Sequence, residues 1–278
     1  MHPRMTQSAG MGSLSARRSA CPASRPSDML RERMQTVIAL ATADGPMEAY
    51  DCAPHAEPIG AVVVIQEAFG VNDHIRDVTR RFSARGYRAV APSLFHRAGG
   101  GTAPYTDLSK VVPLFKGITD DAILMDVDAT LAHLRSQGFR DEQIGLVGFC
   151  MGGRVTFLVA TRRKLGAAVG FYGGGIVAAR RPGFPPLLGD ATNLATPWLG
   201  LFGDADASIP VEDVETLRET LEREAEVPWR VVRYPDAQHG FHCDVRPSYH
   251  EVSARDAWAR TLDWLRTHLP APRALPTS

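Results

Sequence analysis

The segment Ile144-Gly145-Leu146-Val147-Gly148-Phe149-Cys150-Met151-Gly152-Gly153 decides how this chain is read. The apolar run 144–147 predicts a short buried strand, and it feeds straight into Gly148-Phe149-Cys150-Met151-Gly152. That is the G-x-S-x-G pattern of a sharp strand-to-helix bend, with Cys where Ser is usual. Such a bend holds its central residue in a strained backbone conformation, and a side chain at either flanking Gly would collide with the turn. Gly153 extends the small-residue surface. The helix beyond the bend opens with unbonded N–H groups and a partial positive charge, which favour a thiolate and a tetrahedral oxyanion. Cys150 is therefore the candidate nucleophile. The competing reading is a Gly-rich turn around a buried, inert Cys.

Outward from this bend, strands and helices alternate. Residues 36–41 and 47–52 flank Asp44-Gly45-Pro46 and read as a hairpin. Residues 61–66 (AVVVIQ) form a β-branched apolar run of the kind buried on both faces of a sheet. A helix opens at Asn72 or Asp73, with Ile75, Val78 and Phe82 on one face and Gly86 as its stop. Strand 87–91 follows, then a long amphipathic helix marked by Leu124, Val127, Leu131 and Leu134 and ending at Gly138. After the bend come strands 167–171, 198–202 and 229–234, helix 211–224, and a closing helix through Trp258, Leu262 and Leu265. Strands separated by single helices predict an α/β fold with a mostly parallel, doubly wound sheet, helices on both faces and an N-terminal hairpin. Two long Gly/Pro-rich connections, 97–117 and 173–197, are candidate walls of a binding site.

Composition narrows the function classes. The chain has 278 residues, 44% hydrophobic and 22% charged, enough for a sizeable core. Lys plus Arg and Asp plus Glu number 31 each. A balanced chain lacks the electrostatic footprint for gripping phosphate backbones, so no nucleic-acid partner is expected. No apolar run approaches the roughly 20 residues that cross a bilayer, so no membrane partner is expected either. Cys21, Cys52, Cys150 and Cys243 lack C-x-x-C spacing, which suggests a reducing, cytoplasmic setting rather than a disulfide framework. Residues 1–33 are rich in Ser, Ala, Pro and Arg, with six Arg against Asp28 and Glu32, and read as a disordered extension. They resemble an organelle transit peptide, or an over-extended start with Met34 as the true first residue. Residues 34–270 are expected to form one domain, followed by a tail at 271–278.

A thiol nucleophile needs a base, and the base needs an orienting acid. In the α/β-hydrolase order, acid and then His follow the nucleophile on loops after late strands. His239 lies after strand 229–234, and Asp204 and Asp206 both lie after strand 198–202. Spacing alone does not separate the two acids. His242, three residues past His239, is the reserve base; His133 falls in a helical pattern and His268 near the end of the chain.

Four motifs in order then resemble one family. Gln66-Glu67-Ala68-Phe69-Gly70-Val71-Asn72, Gly86-Tyr87-Arg88-Ala89-Val90-Ala91-Pro92, the Cys150 bend, and Tyr234-Pro235 through His239-Gly240-Phe241 are similar to the dienelactone hydrolase (carboxymethylenebutenolidase) family, over roughly residues 34–269. The resemblance implies the α/β-hydrolase fold, and lactone or ester hydrolysis without cofactor or metal. Its acid precedes D-x-x-[VI]-P, a pattern that Asp206-Ala207-Ser208-Ile209-Pro210 matches, so Asp206 is chosen over Asp204. It also implies that Glu67 faces Cys150 and controls its protonation, and that the amides of Ala68 and Met151 form the oxyanion hole.

The family anchors a substrate carboxylate with arginines, one of them shortly after the catalytic His. Here Cys243 stands at that expected position, leaving Arg97 or Arg246 as substitutes. Phe69 and Tyr172 adjoin the catalytic loops and are candidate pocket walls. With Cys150 assigned, Cys243 has no further ligands at zinc spacing, and Gly99-Gly100-Gly101 lacks the context of a phosphate cradle. The expected partner is a small-molecule activated ester or enol lactone, with a monomer and a homodimer equally open. Two other readings remain: a broad carboxylesterase or thioesterase, and a redox-responsive or ligand-binding protein on the same scaffold.

Overall fold

The computed structural model describes residues 35–181 and 183–270. The readings made for residues 1–33, for Cys21 and for 271–278 lie outside the described residues. The expected hairpin is β1 (Gln35–Thr42) and β2 (Gly45–Cys52), paired antiparallel from Gln35↔Cys52 to Thr42↔Gly45. Gly45, at φ 110°, takes the left-handed position that lets so short a turn close. Six further strands follow: β3 (Gly60–Ile65), β4 (Tyr87–Pro92), β5 (Ile144–Phe149), β6 (Ala167–Phe171), β7 (Trp198–Gly203) and β8 (Trp229–Tyr234). They form one eight-stranded sheet in the order β1-β2-β4-β3-β5-β6-β7-β8, parallel from β4 to β8. Every residue of β3, β5, β6 and β7 is buried, which is why these strands carry unbroken apolar runs.

Helices close both faces. In chain order they are α1 (Asp73–Ser83), α2 (Val111–Leu114), α3 (Asp120–Ser136), α4 (Met151–Ala160), α5 (Val211–Glu224) and α6 (Glu251–His268). Asn72 caps α1, its side chain accepting from the Ile75 amide at 3.1 Å, and Thr119 caps α3 in the same way through Ala122. Alternate residues of a strand face opposite sides, so β5 shows which helix covers which face. A Cβ on Gly145 would meet Leu265 of α6, while one on Gly148 would meet Gly152 and Thr156 of α4. On the α6 side, α1 joins it through Phe82 and Trp258, whose rings lie 4.7 Å apart.

The strand order locates the crevice. After β4 the chain crosses back over β3 to lay β5 on its other side, and the order then runs outward to β8. Ligands of open α/β sheets bind at such a switch point, beyond the carboxyl ends of the strands. Glu67 follows the end of β3, and Cys150 follows the end of β5.

Candidate active site

Cys150 sits at the bend with φ 55° and ψ −115°, a region that costs a non-glycine residue of order 1–3 kcal/mol. The bend is held by its amide, which donates to Phe171 O at 3.0 Å, and by close approaches that exclude side chains. A Cβ on Gly148 would strike the Gly152 carbonyl, and one on Gly152 would lie 2.7 Å from Gln66 O. Gly153 is pressed against the β6 end, where an added Cβ would come within 2.9 Å of the Gly173 Cα. Here glycine is required by contact rather than by φ. Helix α4 begins at the next residue with no side-chain cap. Among the described residues, neither the Met151 nor the Ala68 amide donates to a protein acceptor.

The loops after β7 and β8 bring Asp206 and His239 together, with Asp206 Oδ2 2.7 Å from His239 Nδ1. The other carboxylate oxygen accepts from the Ser208 amide at 2.8 Å and the Ser208 hydroxyl at 2.6 Å. Burial pushes the Asp206 carboxyl up, but the bonds and charge of His239 and Ser208 hold it below the usual range. Burial also opposes charge on His239, yet Cys150 and Asp206 outweigh it and raise the imidazole to about 10. Asp204, the acid that spacing could not exclude, is turned away and bound in a fork by Arg233 at 2.7 and 2.8 Å. His242 is buried among Phe149, Phe171 and Trp258, where burial and neighbouring His74 depress it to about 3. His133 pairs with Asp51, and His268 packs on Trp264.

Glu67 is fully buried. Its Oε2 accepts from the Tyr105 hydroxyl at 2.6 Å, and Arg246 Nη1 stands 3.7 Å from Oε1. Cys243 lies 3.5 Å from the same hydroxyl, its thiol raised to about 11, chiefly by burial and further by Glu67. Among the described residues no hydrogen bond joins Glu67 to Cys150; the carboxylate is engaged by Tyr105 and Arg246. The adjacent residue, Ala68, nevertheless lines the pocket beside Cys150.

That pocket is a cavity of about 380 Å³ holding Cys150, His239, Ala68 and Met151. Both long connections wall it, one through Phe115 and the other through Arg181 and Phe184. Several expected binding residues are not among its walls. Arg97 is tied to Asp126 at 2.7 and 2.9 Å and to Asp44 at 2.7 Å. Arg246 stands against Glu67 and the Tyr105 ring. Phe69 packs with Ala103 and Val111 in a separate small cluster. Tyr172 is fully buried, its ring 5.1 Å from that of His239, so it backs the imidazole instead of facing the cavity. Residues that sequence reasoning missed are Ser208, Tyr105 and the arginines of the pocket. Only Ser208 left a signal, since Asp-x-Ser favours the turn in which Asp accepts from the amide two residues on. Among the described residues no three His, Cys, Asp or Glu side chains converge as a metal site would require.

Comparison with known proteins decides the family, because the dienelactone hydrolase family model matches residues 47–269. The chain belongs to the dienelactone hydrolase family. A Yersinia pestis relative named "Putative carboxymethylenebutenolidase" is 40% identical over 227 residues, covering 80% of this chain and 84% of its own. The Pseudomonas putida carboxymethylenebutenolidase is 29% identical over 219 residues, covering 77% and 88%. A Klebsiella pneumoniae crystal structure titled "Putative Dienelactone Hydrolase" superposes with a TM-score of 0.77 at 38% identity, covering 84% of this chain and 98% of that one. The fold is that of the α/β-hydrolase superfamily, and the family acts as hydrolases on small-molecule esters and lactones. No helix among the described residues is long and apolar enough to cross a membrane.

Proposed function

We propose that this dienelactone hydrolase family member cleaves an activated ester or enol lactone through an acyl-thioester on Cys150. The observation that carries the reading is the 2.7 Å contact of His239 Nδ1 with the Asp206 carboxylate, on an imidazole that shares one pocket with Cys150 and that Cys150 and Asp206 together raise. With Nδ1 on the carboxylate, the other ring nitrogen is left to exchange a proton with sulfur, leaving group and water.

The Cys150 sulfur adds to the carbonyl carbon, and the oxyanion accepts from the Ala68 and Met151 amides, which have no other acceptor among the described residues. Collapse breaks the carbon–oxygen bond, and the departing enolate or alkoxide takes the proton from His239. Water then adds to the thioester as His239 accepts its proton, and the acid leaves as sulfur regains its charge. A thiolate is a better leaving group than an ordinary alkoxide, so the first tetrahedral intermediate reverts unless the substrate carries a stabilised leaving group. That asymmetry favours enol lactones and activated esters over plain alkyl esters. Glu67, held by Tyr105, acts on Cys150 by charge.

The test is turnover of p-nitrophenyl acetate and an enol lactone before and after iodoacetamide, alongside Cys150→Ala. Both treatments are expected to abolish activity, with the enol lactone the better substrate of the native enzyme. Normal turnover by Cys150→Ala would end the thioester reading, and equal rates on plain alkyl esters would favour a broad carboxylesterase. Cys150→Ser is expected to fold but turn over poorly, because the hydroxyl is far less acidic.

A further inference from the structure

The loops that carry Asp206 and His239 are fastened to each other through their backbones. Gly203 ends β7 against the Ala237 carbonyl, where an added Cβ would collide, and the Ala205 amide donates to that carbonyl at 3.1 Å. The Asp204 amide donates to Tyr234 O at 2.9 Å. These bonds set how far apart the two loops stand, but none of them acts on the Asp206 side chain, which could still turn about its own bonds. Ser208 removes that freedom. Its amide and hydroxyl both donate to Asp206 Oδ1, at 2.8 and 2.6 Å, and Oδ2 is left to His239 Nδ1 at 2.7 Å.

An ionised carboxylate only accepts, so Nδ1 carries its proton. The Ser208 hydroxyl has a single proton, and 2.6 Å is the length of a bond from a hydroxyl to a charged oxygen. With that proton committed to Oδ1, a lone pair of the hydroxyl faces Nδ1 at 3.3 Å. Both oxygens set before Nδ1 are therefore acceptors, and an imidazole with an unprotonated Nδ1 would be repelled by each. From this ring of three side chains we infer that Ser208 is a positioning residue of the hydrolysis. Its hydroxyl holds the Asp206 carboxylate in the plane that bonds Nδ1, and so keeps His239 in the tautomer whose other nitrogen exchanges protons with Cys150. Ser208 acts only through Asp206 and His239. It is exposed at the pocket wall, so its replacement disturbs no packing.

The inference rests on the reading of Asp206 and His239 as acid and base, and the experiment separates the two. Turnover of p-nitrophenyl acetate is compared across Ser208→Ala, Ser208→Thr, Asp206→Asn and the Asp206→Asn/Ser208→Ala double variant. Ser208→Ala and Ser208→Thr both keep the amide at 208, so only the hydroxyl is tested. Its loss is expected to lower kcat roughly 10- to 100-fold in Ser208→Ala, with KM within about 2-fold of wild type. Ser208→Thr keeps a hydroxyl and is expected to recover most of that loss. In the Asp206→Asn background Ser208→Ala is expected to cost less than about 2-fold, because the hydroxyl then has no charged oxygen to hold. NMR reads the same ring without turnover: the His239 Nδ1 proton resonance is expected to shift in Ser208→Ala and to return toward its wild-type position in Ser208→Thr. A large loss in Asp206→Asn with none in Ser208→Ala overturns the inference. So does a loss carried by KM, which would make Ser208 a substrate contact, or an equal cost of Ser208→Ala with and without the Asp206 carboxylate. Wild-type rates in Asp206→Asn would instead sink the acid assignment on which the inference rests. If the wild type turned over no ester, the hydrolytic reading would fall, and the Nδ1 resonance would still decide whether Ser208 positions the pair.

Discussion

The Tyr105 hydroxyl donates to Glu67 Oε2 at 2.6 Å, across 38 residues of chain, and fixes the fully buried carboxylate of the residue that precedes Ala68 of the pocket wall. An unpaired carboxylate there would be costly, and the loop that carries Tyr105 is what satisfies it.

Tyr105→Phe removes the bond and keeps the ring. Loss of a hydrogen bond to a buried charged group costs about 2 kcal/mol, a Tm lower by about 4–8 °C in a chain of this size. Calorimetry checks the stability. The pH profile of Cys150 alkylation by iodoacetamide checks the link to the nucleophile, since a merely structural contact would leave that profile in place.

The two aspartates of the β7 loop separate chemistry from stability. Asp206→Asn presents an amide to His239, favours the wrong tautomer, and is expected to lower kcat on the order of ten-thousand-fold with the fold retained. Asp204→Asn disrupts only the fork with Arg233, a partly exposed pair contributing about 1 kcal/mol or less, and kcat stays close to wild type. Equal kinetic losses in both variants would contradict the assignment of the acid.

Two histidines give opposite pH signatures. His239 is raised to about 10, so its contribution to stability is complete below the unfolded value near 6.5 and fades as pH rises to about 10. The Tm difference between wild type and His239→Gln is therefore largest near pH 6 and shrinks toward pH 10. His242 is depressed to about 3, so the unfolded chain takes up a proton that the native core refuses. Stability then falls as pH drops from about 6.5 toward 3. His242→Phe, placed among Phe149, Phe171 and Trp258, should flatten that acid limb. Parallel Tm curves for wild type and variant would refute it.

Gly148→Ala adds one methyl group where the Gly152 carbonyl already lies. Neither group is a flexible side-chain end, so the bend itself must move. The expected loss is roughly 3 kcal/mol, at the upper end of overpacking costs. Chemical denaturation measures it, and kcat should fall because the Met151 amide moves with the bend.

Much of the site was legible in the chain. The strand-to-helix bend, the strand runs and the order nucleophile, acid, base are local patterns, and helix 211–224 and strands 167–171 and 229–234 match α5, β6 and β8 residue for residue. The acid was legible only through family resemblance, because Asp204 and Asp206 differ in where a loop turns, which spacing does not encode. The pocket walls were recognised as loops but not as residues. Whether Arg97 or Arg181 faces the cavity depends on which acids stand nearby in space.

Thus the sequence alone determined the alternation of strands and helices, the glycine-flanked bend and the presence of a thiol on it, since each follows from short-range sterics and periodicity. Tertiary structure alone decided that His242 is core and that Glu67 is met by Tyr105, and it set Asp206 on His239, a choice that spacing left open and family resemblance made. It also decided which guanidinium of the cavity rests on the Phe115 ring and which are held by acids. Those outcomes depend on desolvation and on charges brought together from distant parts of the chain, and neither quantity exists until the sheet has assembled.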